Sequence, residues 1–268
     1  MKPPLHSSWR DLHGCSKPSN LFIIRHGARH DQLVPGWKDE VSSLGLDVRD
    51  PPLSALGHQQ ARETAAFLGA LPASQRPEWL LVSPYLRVIQ TAAPSADALG
   101  LRLHTEEGLA EIHHVLGQLP SPVARLAYFP QMVPSSSSLC APVADTTDPQ
   151  TGLAAESYPR GYLARLRALA PRLSAACDGK NVACFSHAAS SALVAALLGE
   201  ADLEAVGAFA PVGVFHLACA GGGAPWVLLR RGGENPHVIE NHPATYPWSH
   251  PESAAGVWRE LLREGRAA

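Results

Sequence analysis

Cysteine, aromatic side chains, net charge and long apolar runs are all scarce in this chain, and each shortage removes a class of explanation. Five cysteines (Cys15, Cys140, Cys177, Cys184 and Cys219) are scattered over 268 residues. They form neither the dense, even framework of a small secreted domain nor a metal-ligand spacing, so reduced thiols and a cytoplasmic location are expected. Aromatics make up 6% of the residues and the formal net charge is −2, which leaves no electrostatic footprint for nucleic acid. No stretch reaches the roughly 18 apolar residues of a membrane span; the nearest, 188–198, is interrupted by serine and suits a core helix. Residues 1–19 lack a continuous apolar core, so they read as a surface arm and not as a secretory signal. The expectation is a soluble protein with neither nucleic-acid nor membrane partners.

The length suits one large α/β domain, expected over 20–268. Apolar runs at 21–24, 79–83, 101–104 and 181–186 read as strands and alternate with helical patterns, which argues for a mostly parallel sheet covered on both sides. Ser54 should cap a helix over 55–70, a second helix should start at about Pro84, and 158–176 returns to helical periodicity. Runs at 211–218 and 226–229, joined by Gly221, Gly222 and Gly223, predict adjacent strands, and 252–263 a closing helix. Residues 34–50 predict a loop with a helical piece carrying Trp37, a candidate pocket wall. Residues 117–151, rich in proline and serine, predict a loop or lid insertion.

Three of the strands end on chemistry. Leu21, Phe22, Ile23 and Ile24 lead into Arg25, His26 and Gly27, with Arg29 following; the second run leads to Ser83, Pro84 and Arg87, with Thr91 one helical turn on; the third leads through Ser186 to His187. Ligands in open α/β sheets bind beyond the carboxyl ends of the strands. Arginine pairs bidentately with phosphate oxygens, histidine changes charge near neutral pH, and Gly27 allows close backbone approach. His30, His104, His113 and His114 show no metal pattern, and His58 falls on an exposed helix face by periodicity. Ser83 and Thr91 could hydrogen-bond around Arg87, although Ser83 also suits a helix cap.

These segments, with the helix opening Pro52-Leu53-Ser54-Ala55-Leu56-Gly57 and the acidic segment Glu107-Gly108-Leu109-Ala110-Glu111, resemble the phosphoglycerate-mutase-like first branch of the histidine phosphatase superfamily. Arg25 to Gln32 and Ser186 to Ser191 look most like the phosphatase domains of the UBASH3/STS proteins. The resemblance implies a three-layer α/β/α fold and a metal-independent phosphomonoesterase working through a phosphohistidine on His26. It implies Arg25, Arg29, Arg87 and His187 as phosphate ligands, His187 also as a catalytic group, and Glu111 as proton donor, with Glu106 and Glu107 as rivals. No cofactor is implied. The implied substrate is a phosphate monoester, either a small molecule or a phosphotyrosine protein, and a homodimer is possible. Gln32 stands where the mutases carry Asn, and Ser186 where Gly is common; both departures weaken a mutase assignment. The alternatives are a mutase-type phosphotransferase and a catalytically silent phosphate-ester-binding module.

Overall fold

A computed structural model describes residues 17–45, 47–111, 119–134, 138–149, 152–199, 202–233, 235–240 and 251–267. In chain order the elements are β1 (Ser19–Arg25), α1 (His30–Leu33), α2 (Trp37–Ser43), α3 (Ala55–Ala70), β2 (Trp79–Val82), α4 (Leu86–Leu99), β3 (Leu103–Thr105) and a 3-10 turn, Glu107–Leu109. There follow α5 (Pro122–Arg125), β4 (Thr146–Thr147), β5 (Ala154–Ala155), α6 (Arg160–Ala176), β6 (Asn181–Ser186), a 3-10 turn Ala188–Ser190 and α7 (Ser191–Leu197). The chain closes with α8 (Leu203–Val206), β7 (Val214–Cys219), β8 (Val227–Arg230) and α9 (Pro251–Ala267).

Among the described residues six strands form one sheet in the order β3-β2-β6-β1-β7-β8. The β3-β2-β6-β1 portion is parallel, and β7 and β8 are antiparallel additions. Successive strand residues point to opposite faces, and both faces are apolar. Leu21, Ile23, Leu81, Val182 and Cys184 pack against Leu163, Leu166 and Leu169 of α6, Leu193 of α7 and Trp258 of α9. Phe22, Ile24, Leu80, Val82 and Phe185 pack against Leu68 of α3 and Val88, Ile89 and Ala92 of α4. Continuous apolar strands are what a sheet buried on both sides requires, and the result is three layers.

Several boundaries differ from expectation. Pro84 does not enter the helix: α4 begins at Leu86, after a turn through Pro84 and Tyr85 whose carboxylate partner, Asp50, accepts from the Leu86 N–H at 2.8 Å. β3 starts two residues late, at Leu103, and His58 is half-buried instead of exposed. The expected arm, 1–19, lies outside the described residues up to position 16, and Ser19 already belongs to β1. Within 117–151 the described part is docked: Leu126, Phe129 and Met132 join the α3/α4 core, and Leu139 and Cys140 join the opposite one. No helix among the described residues is long and apolar enough to cross a membrane.

Candidate active site

Strand register brings the expected chemistry to one place. Arg25 pairs with Ser186, while Ile24 and Val82 both pair with Phe185, so β1, β2 and β6 end level with one another. His26 follows at once, 3% exposed, its N–H donating to Ser186 O at 2.9 Å. Its Nδ1 lies 2.8 Å from Gly27 O. A carbonyl only accepts, so Nδ1 carries the proton and Nε2 keeps its lone pair. Burial, then the charges of Arg87 and Arg25, hold the imidazole pKa well below its usual value. The ring is therefore neutral at neutral pH, with a free Nε2.

His187 lies opposite, with ring centroids 5.4 Å apart. It is fully buried, and burial and Arg87 again push its pKa well down. Arg87 Nη2 is 3.3 Å from His187 Nδ1, and Ser83 Oγ is 2.8 Å from Nε2. Because arginine can only donate, Nδ1 accepts and Nε2 donates to Ser83. Ser83 thus serves His187 and does not cap a helix. Thr91 accepts from the Gly27 N–H at 3.0 Å and donates to Arg87 O at 2.7 Å, tying α4 to the His26 turn.

Arg87 is 3% exposed, and Asp50 lies 3.7 Å from its Nη1. Asp50 also accepts from Arg125 Nη2 at 2.6 Å, so the insertion sends a second arginine behind the first. Neither residue was foreseen. Arg25 donates to Phe209 O and is 6% exposed; burial lowers its pKa to about 10, which leaves it charged. Arg29 is close enough for its charge to lower the pKa values of Arg25, Arg87, His26 and His187, yet its fork is engaged by Asp31 at 2.8 and 2.5 Å.

Glu111 reaches the same place, with Oε2 3.6 Å from His187 Nδ1. Since His187 is neutral this is proximity, not an ion pair. The rivals are elsewhere engaged: Glu106, 1% exposed, accepts from the N–H groups of Gly108 (2.8 Å), Leu139 (2.6 Å) and Cys140 (3.2 Å), and Glu107 points to solvent. Ser186 Oγ donates to Leu109 O at 2.8 Å, binding the end of β6 to the turn that carries Glu111. His30 pairs with Glu40, His104 lies on β3, and His113 and His114 fall outside the described residues. Trp37 opens α2 and is half-buried. A surface cavity of about 540 Å³ lies between α6, α7 and Trp226 and contains none of these groups.

Comparison with known proteins identifies the family. The family model described as "Histidine phosphatase superfamily (branch 1)" matches residues 21–231. A 94-residue stretch, 35% of this chain, is 34% identical to the transcription factor tau 55 kDa subunit of Saccharomyces cerevisiae, and spans only 20% of that protein. Among solved structures, the ecdysone phosphate phosphatase of Bombix mori superposes with a TM-score of 0.57 at 18% identity, covering 85% of this chain and 96% of that one. A mycobacterial glucosyl-3-phosphoglycerate phosphatase gives 0.51 at 24% identity, covering 81% and 100%. Identities this low show a shared fold, while the family match spans most of the sheet and every residue placed around His26. The chain belongs to the histidine phosphatase superfamily, branch 1.

Proposed function

We propose that this phosphatase hydrolyses phosphate monoesters through a covalent intermediate on His26, without calling on a metal ion. The observation that carries the reading is a buried, neutral imidazole whose Nδ1–H is spent on Gly27 O, leaving Nε2 to attack. Arg25, Arg87 and Arg29 supply positive charge for the phosphoryl oxygens, as a loose phosphoryl transition state needs. The Nε of Arg87 is buried without a hydrogen-bond acceptor among the described residues. A phosphate oxygen would satisfy it.

In the first step Nε2 forms a bond to phosphorus as the ester P–O bond breaks, and the departing oxygen takes the proton of the Glu111 carboxylic acid. Water then attacks the phosphohistidine in line, Glu111 takes a proton from that water, and the N–P bond breaks to release inorganic phosphate. His187 and Arg87, held by Ser83 and Asp50, orient the phosphoryl group in both steps. Two structures of the same fold were solved with oxyanions, tungstate in the ecdysone phosphate phosphatase and vanadate in the mycobacterial enzyme, which supports an oxyanion pocket here. An aryl phosphate such as phosphotyrosine rests on the UBASH3/STS motif likeness alone and is the first ester to try.

The test is phosphate release from an aryl phosphate with chelator present, alongside acid-free trapping of labelled protein. His26→Ala should lose at least about 1,000-fold in rate and all label, as loss of a nucleophile does. Full activity in that variant would sink the mechanism. Transfer of label between phosphoglycerates, with little release to water, would instead mark a mutase.

A further inference from the structure

We propose that Arg165, on α6, is a positioning residue that sets Glu111 for proton transfer to the departing oxygen; this rests on the reading of Glu111 as the acid. Arg165 is 4% exposed and sits behind the turn that carries Glu111. Its Nη1 donates to Gly108 O at 2.6 Å and Ala110 O at 3.2 Å, and its Nη2 donates to Glu111 O at 3.4 Å. Its Nε and Nη2 pair bidentately with Glu156 at 2.7 and 2.8 Å. A guanidinium has five N–H donors in a fixed plane, and these contacts use all of them. The ring of Tyr162, one turn earlier on α6, lies against the guanidinium at 4.8 Å.

The remaining backbone of the turn is held as firmly. Ser186 takes Leu109 O, so the carbonyls of 108 through 111 are all engaged, three of them by Arg165. On the other side Glu106 accepts the Gly108 N–H, and a Cβ on Gly108 would come within 2.6 Å of Cys140 O. Only the Glu111 side chain leaves this frame, toward His187.

A buried ion pair is a poor device for stability, since well-packed apolar side chains often do as well. Glu156, 2% exposed, neutralises the charge and fixes the plane of the fork. What an apolar pair could not do is grip the carbonyls of Gly108, Ala110 and Glu111 in one orientation. The pair therefore connects α6 and the segment that follows β5 to the proton donor, and a small error there moves the carboxyl off the departing oxygen.

The experiment compares kcat/KM, which reports the phosphorylation of His26, for dinitrophenyl phosphate and phenyl phosphate. The first leaves without a proton and the second needs one. Glu111→Gln should lose about 100-fold or more on phenyl phosphate and only a few-fold on dinitrophenyl phosphate. Arg165→Lys, which keeps the charge but offers no planar fork, should show the same selectivity at about 10-fold, since a displacement well under 1 Å is enough for that. Glu156→Gln, the second variant should Arg165→Lys fail to fold, should behave likewise. Equal losses on both esters in the Arg165 and Glu156 variants, or no loss, would overturn the positioning role while leaving Glu111 intact. Equal losses in Glu111→Gln would remove Glu111 as the acid and the inference with it.

Discussion

His26 and His187 must be neutral to act as described, and burial keeps them so at the expense of acid stability. Their pKa values in the folded chain lie well below the ordinary 6.5. Below about pH 6.5 the unfolded chain therefore binds protons that the folded chain does not, so stability should fall with falling pH by up to about 1.4 kcal/mol per pH unit for each such histidine. Thermal unfolding followed from pH 7.5 to 5 should show Tm dropping through this window, and His187→Asn should flatten the slope. By the same sign, the acid limb of kcat/KM should not report a group near 6.5 from His26; an acid limb there that shifts in variants around His26 would contradict a ring held neutral. Arg125→Met should cost about 3 kcal/mol by breaking the buried pair with Asp50. It should also weaken inhibition by inorganic phosphate several-fold, because Asp50 is then left to draw Arg87 away. Arg25, His26, Arg87 and His187 were legible because each ends or follows an apolar run. Asp50, Arg125 and Glu156 were not, because nothing local separates a buried carboxylate or guanidinium from a solvated one. For Arg165 a faint signal existed: it shares a helical face with Tyr162, Leu166 and Leu169, all buried.

The opening of α3 shows how tightly a helix must approach the turn that carries His26. Ser54 caps the helix by accepting from the Gly57 N–H at 3.0 Å and donates to Ala28 O at 3.1 Å. A Cβ on Gly57 would lie 2.2 Å from Ala28 O, and one on Gly27 would lie 2.8 Å from Gly57 O. Gly57→Ala should thus destabilise by roughly 1–3 kcal/mol through forced backbone movement, although alanine is the better helix former. Gly69→Ala, in the same helix with nothing within 4 Å of the added carbon, should stabilise by up to about 0.5–1 kcal/mol. Chemical denaturation of the two variants checks the opposite signs. Period and capping made α3 readable to the residue, whereas Pro84, which fits a first helical turn by propensity, was displaced by the Asp50 contact at Leu86. The insertion had no periodicity to read; its docking depends on Arg125, Leu139 and Cys140 finding carboxylates distant in sequence.

The order of the sheet interleaves the two halves of the chain: β6, from after the insertion, lies between β2 and β1, and β7 flanks β1 on its other side. No cut near residue 150 leaves either half with a continuous sheet, so we expect unfolding in one transition by circular dichroism and by tryptophan fluorescence. Separate fragments 1–151 and 152–268 should each be unfolded, and two well-resolved transitions would contradict a single domain. The same interleaving has a consequence in time. During synthesis His26 leaves the ribosome with no sheet partner for β1 on either side, and at about 5–20 residues per second its neighbours β6 and β7 follow only after roughly ten to thirty seconds. Through that interval the burial and the strand register that bring His26 beside His187 are not yet in place. A nascent chain stalled before β6 should therefore carry His26 and be inert, its activity appearing only when the last third of the sequence is threaded into the middle of the first.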